Sequence, residues 1–566
     1  MRFFSKHFIQ PYLNIGLFAG CLMASSVVMA QAAVHFVPEK PGGDLPPLPE
    51  YTDLPAAPQK NMVLPAVIQT PAQHLSAQES LYVKHVQLSG NKLFSDQQLR
   101  HITGPYEHRH ITSDELQALR RQLTRHYVEH GYINSGAMIP DQDIESGVIK
   151  INIIEGHLNE IKISGNRRLK PRYIRSRLAF PPHKALHLPT LQKKIQLLHQ
   201  DRLINRINAH LNPGIQRGES ILAVIIDERR PYEFGFRVNN RRSPSVGELR
   251  GELWGSYLNI SGYGDAITVQ YGITEGLDDM RLNYTLPLNR QDTRLALYLS
   301  RSDSLIIEEP FDAIDIKSKS KNWGISLTHP LWRTLSGHFS HSLALDRRHS
   351  KTVFLGNEPY PSIGSKEGET TVAVLRLGQE WLSRKDNRVL AIRSRISVGL
   401  DALNATSNEA GIPDGTFSAW LGQLQWVQRI SRRGMQLVAR SDFQFTHDSL
   451  LPLEQFGVGG ASSVRGYREN LMVRDKGWMG SLEIRVPVVS QKFQLAAFYD
   501  IGGGDHVSKP RPALKSISSV GLGLRWHPNR SLRSQLYWGH ALKNVVVGKE
   551  KSLQDDGFHF SLEVSF

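Results

Sequence analysis

Three groups of residues in this 566-residue chain have types and spacings that could do chemistry. The first is His126-Tyr127-Val128-Glu129-His130, an H-x-x-E-H pattern of the kind found in inverted zinc peptidases. Helical spacing would put both histidines on one face, but no third carboxylate ligand is identifiable nearby. The segment also fits a short helix with polar residues on a solvated face. The second is Arg465, inside the glycine-rich stretch Gly457-Val458-Gly459-Gly460-Ala461-Ser462-Ser463-Val464-Arg465-Gly466-Tyr467. On a loop folded into an interior, its guanidinium is partly desolvated and needs a carboxylate of bidentate geometry. The third is the acid pair Glu483 and Asp500, on alternating segments further along. Asp500 shares one strand face with Gln494, Ala496 and Phe498. No phosphate-cradling Gly-Lys-Ser/Thr loop is present. The expectation is no catalytic residue, no metal and no cofactor.

The elements that must position these residues change character at Pro231. Beyond it helical periodicity disappears, and sixteen alternating segments of about 8–12 residues follow, separated by turn residues. The last is the clearest. Phe558, Phe560, Leu562, Val564 and Phe566 alternate with His559, Ser561, Glu563 and Ser565, so one face is apolar and the other polar. Segment 477–487 does the same, with Trp478, Leu482, Ile484 and Val486 opposite Ser481, Glu483 and Arg485. An even number of such strands is expected of a closed outer-membrane barrel, because an open edge would leave backbone groups unpaired in hydrocarbon. Mean hydropathy is −0.33, which excludes helical spans but not a barrel that hides its polar half inside. Residues 447–476 join the eleventh and twelfth segments and are long enough to fold inward. With a periplasmic N-terminus they form the sixth outer loop.

Before the barrel, residues 80–231 repeat. Val86-Gln87-Leu88-Ser89-Gly90-Asn91 returns 75 residues later as Ile161-Lys162-Ile163-Ser164-Gly165-Asn166. Each copy then shows two helical patterns, 95–102 and 112–130 in the first, 170–179 and 189–203 in the second. Two strands close each copy, and Ile153-Ile154-Glu155 aligns with Ile225-Ile226-Asp227. Each unit is β-α-α-β-β with a sheet edge open to an extended peptide. The net charge of +15 invites a nucleic-acid reading, yet residues 157–231 carry 15 Lys and Arg against 5 Asp and Glu, a net +10. Such a face suits an acidic polypeptide or anionic lipid headgroups, or is simply solvated.

Residues 1–32 combine Arg2 and Lys6 with an uncharged apolar run and small residues, the pattern of a secretory signal peptide. The single cysteine, Cys21, falls inside it and is read as a removed residue. Export argues against nucleic acid as a partner. Residues 33–79 are proline-rich and are read as a periplasmic linker.

Three short motifs now carry a resemblance. Val464-Arg465-Gly466-Tyr467 resembles the V-R-G-[YF] loop-tip motif of the outer-membrane translocase and insertase superfamily. Gly480-Ser481-Leu482-Glu483 resembles its G-x-x-E signature, and Phe498-Tyr499-Asp500-Ile501-Gly502 its F-x-D-x-G signature. Each is weak alone, but all three occur in order on the expected elements. The repeated units resemble POTRA (polypeptide-transport-associated) domains. Two of them (80–156 and 157–231) before a sixteen-stranded barrel (232–566) resemble the two-partner secretion transporter of TpsB type. The resemblance implies an Arg465–Asp500 pair that anchors the loop tip to the wall, with Glu483, Gly480 and Gly502 beside it. It implies an outer-membrane location with periplasmic POTRA domains. The implied partners are outer-membrane lipid, a secreted TpsA-like exoprotein that folds into a long β-helix, and the barrel-assembly machinery during biogenesis, which reads the strand ending at Phe566. The implied transport proceeds without nucleotide hydrolysis. The alternative is a barrel-assembly insertase or a translocation-assembly factor. Some relatives plug the barrel with an N-terminal helix, for which residues 34–79 are too proline-rich.

Overall fold

The computed structural model describes residues 80–143, 147–490, 492–508, 512–529, 531–545 and 551–566. The signal-like segment with Cys21 and the proline-rich stretch lie outside these. The first unit has two helices, α1 (Asp96–Thr103) and α2 (Ser113–Glu129), each opened by a capping box, from Ser95 and from Thr112. They pack Leu99, Leu119, Leu123 and Tyr127 onto Ile149, Ile151 and Ile153 of a three-stranded sheet. Strand His85–Ser89 runs parallel to central Val148–Ile154, and Gly136–Met138 is antiparallel on its other side. The second unit repeats this with α3 (Pro171–Leu178) and α4 (Leu188–His199) on a sheet whose centre is Glu219–Glu228.

The repeat is real, but its register differs by one residue from the sequence alignment. Gly90 (φ +83°) backs onto the Ile153 carbonyl, and Gly165 (φ +79°) onto that of Ile226. Glu155 accepts from the Lys92 and Leu93 amides, whereas Glu228 accepts from those of Arg167, Arg168 and Leu169. Glu155 therefore corresponds to Glu228, not to Asp227. The acid that satisfies the turn amides sets the equivalence, and adjacent acids hide it in sequence. A two-stranded pairing of Leu81–Val83 with Arg109–Ile111 was not expected at all.

The units are joined by main-chain hydrogen bonds, Leu186 N to Gly156 O (2.7 Å) and Leu188 N to Gly131 O (2.9 Å). The second unit is fastened in turn to the barrel. Lys170 N donates to Gly262 O (3.0 Å), Arg177 pairs with Asp292 (2.5 Å), and the Tyr173 ring abuts Gly264. Leu258 and Ala266 of the barrel join the second unit's core.

Sixteen antiparallel strands close the barrel, from Tyr232–Asn239 to Phe558–Ser565, with an extra two-residue strand at Glu358–Pro359. First and last strands pair directly, Ser561 to Ser565 against Asn239 to Gly235. Phe566 N donates to Phe234 O (2.9 Å) with the two rings stacked. Leu253, Leu299, Leu522 and Leu562 lie exposed on the outside, while Arg376, Arg393, Asp442 and Arg525 are buried inside. This inversion is what a hydrocarbon exterior requires. Trp420, Trp478 and Trp538 stand at the long-loop end of the belt, and Tyr257, Tyr263 and Trp526 at the short-turn end. Strands Lys317–Thr334 and Gly337–Phe354 run to 18 residues, well beyond their expected ends. Added parts such as Lys317-Ser318-Lys319-Ser320 and Arg347-Arg348-His349-Ser350-Lys351-Thr352 are polar on both faces and carry no alternation to read.

Candidate functional site

Residues 447–475 leave the barrel wall and turn into the lumen. The stretch forms its own small hairpin, Phe456–Val458 with Met472–Arg474. Phe456, Val458, Val464, Tyr467 and Met472 make a small apolar core with Leu421, Met479 and Ile517 of the wall. A polar lumen thus holds a local hydrophobic contact that favours the folded-in loop.

Arg465 lies at the tip, 7% exposed. Its Nε donates to Asp500 Oδ2 (2.7 Å) and its Nη2 to Asp500 Oδ1 (2.9 Å), the fork-on-carboxylate geometry. The Arg465 amide reaches the same Oδ2 at 3.1 Å. Nη1 donates to Glu483 Oε2 (2.5 Å) and Nη2 to Ser481 Oγ (3.2 Å). The guanidinium also stacks over Phe498, 3.6 Å from the ring centroid. Asp500 is fully buried, so its charge is compensated by this loop and not by water.

The other expected residues divide. Val464 is fully buried in the apolar core. Gly466 (φ +87°) lies against Gly539, where a Cβ would come within 2.7 Å of the Gly539 carbonyl oxygen, and its amide donates to His559 Nε2 (2.9 Å). Tyr467 OH donates to Ser518 O (2.9 Å). Gly502 lies under the loop, where a Cβ would meet Val458 and Val464 at 2.8 and 3.1 Å. Gly480 does not belong with them. It is on the outward face of its strand with only Ile501 near its Cβ position, at 3.8 Å. The loop meets that strand through Ser481 and Glu483. Phe558, Phe560, Leu562 and Val564 line the outside of the last strand, and its inward His559 meets the loop tip.

Several anchors were not foreseen. Arg468 forks onto Asp555 (2.6 and 2.7 Å) and also reaches Glu308. Gln554 accepts from the Glu469 amide (2.7 Å). At the loop root, Glu454 is held by Arg376 (2.7 Å). Only the lumenal parity of Arg376 was available from alternation; nothing in sequence names its partner 78 residues away.

The H-x-x-E-H segment lies on α2 and at its end. Glu129 is exposed and pairs with Arg125 (2.8 Å). His126 packs edge-on against Phe94 and beside His101 and His130. Burial, followed by the neighbouring His130 and His101, holds the His126 pKa below its ordinary value. Among the described residues no group of three His, Cys, Asp or Glu is arranged to hold a metal ion.

A family model described as haemolysin secretion/activation protein ShlB/FhaC/HecB matches residues 218–526, more than half of the chain. The chain belongs to this family. A ShlB-type POTRA model matches residues 81–156. Among curated relatives, the heme/hemopexin transporter protein HuxB of Haemophilus influenzae (strain 86-028NP) is 22% identical over 80% of this chain and 82% of its own length. The hemolysin transporter protein ShlB of Serratia marcescens is 23% identical over 72% of each chain. The solved structure of CdiB from Escherichia coli superposes with a TM-score of 0.63 at 17% identity, covering 99% of this chain and all of that one, which supports the fold. The chain is thus a TpsB-type outer-membrane barrel with periplasmic POTRA domains. The short-turn end, where the second unit is fastened, is its periplasmic end.

Proposed function

We propose that this chain is the outer-membrane pore of a two-partner secretion system. The POTRA units capture an unfolded exoprotein in the periplasm, and the barrel passes it to the cell surface without nucleotide hydrolysis. The sheet edge Ile204–Pro213 suits capture by strand addition, whereas on the edge His85–Ser89 the outward Val86 amide already donates to Glu107 (2.8 Å). Folding of the cargo outside, into a long β-helix, makes return unfavourable. The observation that carries the reading is the latch of Arg465 on Asp500 and Glu483, which holds a 29-residue loop inside the lumen that cargo must use. A loop held by ion pairs to the wall can be released as a unit, whereas a permanent plug would be built into the wall.

Co-expression with a candidate exoprotein, such as a large repetitive exported protein from a neighbouring reading frame, followed by assay of the medium, tests this. Arg465→Ala and Asp500→Ala are expected to abolish secretion while barrel assembly persists, and full secretion by both refutes the reading. One observation favours the insertase alternative. First and last strands pair over only five positions, against eight between the first and second strands. General loss of outer-membrane proteins on depletion would support that reading.

A further inference from the structure

The lumen contains a second buried charge cluster, four strands round the wall from the Arg465 latch. Arg376, on strand Glu369–Lys385, donates Nη1 and Nη2 to the two Glu454 oxygens (3.0 and 2.7 Å) and Nε to Asp346 (2.5 Å). Arg348 donates to Leu453 O (2.8 Å) and stands 3.6 Å from Glu454. Arg395, on strand Arg388–Leu400, is 9% exposed, and its Nε is buried with no hydrogen-bond partner among the described residues. Arg376 thus bridges Asp346 and Glu454, with Arg348 and Arg395 beside them. Only one of those carboxylates, Asp346, is part of the wall. The other, Glu454, belongs to the loop.

When the loop leaves, Arg376 keeps Asp346 but loses Glu454, and Arg395 Nε still has no partner among the described residues. Such a site is poorly compensated and has the donor geometry of a carboxylate receptor. We propose that Arg348, Arg376 and Arg395 form a carboxylate-binding site of the translocation path, filled at rest by Glu454 and taken over by Asp and Glu side chains of the passing chain. This rests on the translocation reading above. Arg395 gives the exchange a starting point. Its uncommitted donor can engage an incoming carboxylate while Glu454 still holds Arg376, so the cluster is never bare. Glu454 then acts as a built-in stand-in for cargo, and acidic cargo weakens the hold on the loop root.

The test uses the full-length protein in planar lipid bilayers, with hexaglutamate as probe and hexaglutamine as the uncharged control. Glu454→Gln is expected to let hexaglutamate block the pore current at about tenfold lower concentration than for the unsubstituted protein, the scale of one charge-assisted contact. Adding Arg395→Gln reverses that gain, and adding Arg395→Lys restores part of it. Arg395→Gln removes no hydrogen bond at Nε, and unchanged heat-modifiable migration on gels verifies the fold. Equal hexaglutamate block of the single and double variants overturns the proposal, as does equal block by hexaglutamine. Either result combined with normal export of the exoprotein removes this site only. Failure of the unsubstituted protein to export any co-expressed exoprotein removes the translocation reading instead.

Discussion

Asp500→Asn tests the latch at its most buried point. The substitution keeps size and shape but removes the charge that three Arg465 donors address. Glu483 cannot take over. It already accepts from Arg485 (2.6 Å) and Tyr537 (3.1 Å) besides Arg465. Removing one partner from a buried pair costs about 3–5 kcal/mol. At about 1.4 kcal/mol per decade, the balance between latched and released loop moves by roughly two to three and a half orders of magnitude. With Cys21, the only cysteine in the sequence, replaced by serine, a thiol placed at half-buried Ala461 reports on the tip alone. Ala461→Cys in the Asp500→Asn background is expected to react with a bulky maleimide about a hundredfold faster than in the parent, until the rate of a free thiol is reached. Asp500→Glu, which keeps the charge, should fall between. An unchanged labelling rate in Asp500→Asn would falsify the view that this carboxylate holds the loop.

Other outcomes are expected elsewhere. Gly502→Val forces methyls onto Val458 and Val464 and should loosen the tip by about 1–3 kcal/mol, read as faster Ala461→Cys labelling, whereas Gly480→Ala should leave labelling unchanged. Phe566→Ser removes the ring stacked on Phe234 at the closing seam and should reduce the heat-modifiable folded fraction in the outer membrane. His126 is held neutral by burial, so its folded-state pKa lies below the unfolded one. The stability this contributes is present above the ordinary imidazole pKa and is lost as pH falls through the lowered value. His126→Leu should therefore flatten the loss of thermal stability as pH falls below about 6.5, measured by the melting of the POTRA signal.

The strand count and the lumenal face of Asp500 were legible because alternation is a local signal that a bilayer enforces on every strand. The Arg465 tip was legible because its motif is compact and its partners lie within 35 residues. The root anchor was not. Alternation places Arg376 and Arg395 inside the barrel, but which lumenal groups meet depends on shear and on the path of a loop without period. The same holds for Arg468, whose partners Glu308 and Asp555 lie on two other outer loops. Gly480 shows the converse error, where a motif was taken as a contact although strand parity puts the glycine outside.

The fastening of the second POTRA unit makes the periplasmic mouth lopsided. Its hydrogen bond and ion pair fall on the turns 259–265 and 288–293, both among the first five strands. On the proposed mechanism, a chain handed over by the POTRA pair would approach from one flank of the rim along a preferred bearing. On that mechanism the polypeptide path would have a compass direction before it has a pore, and the first wall it could sweep would be set by which turns the second unit covers.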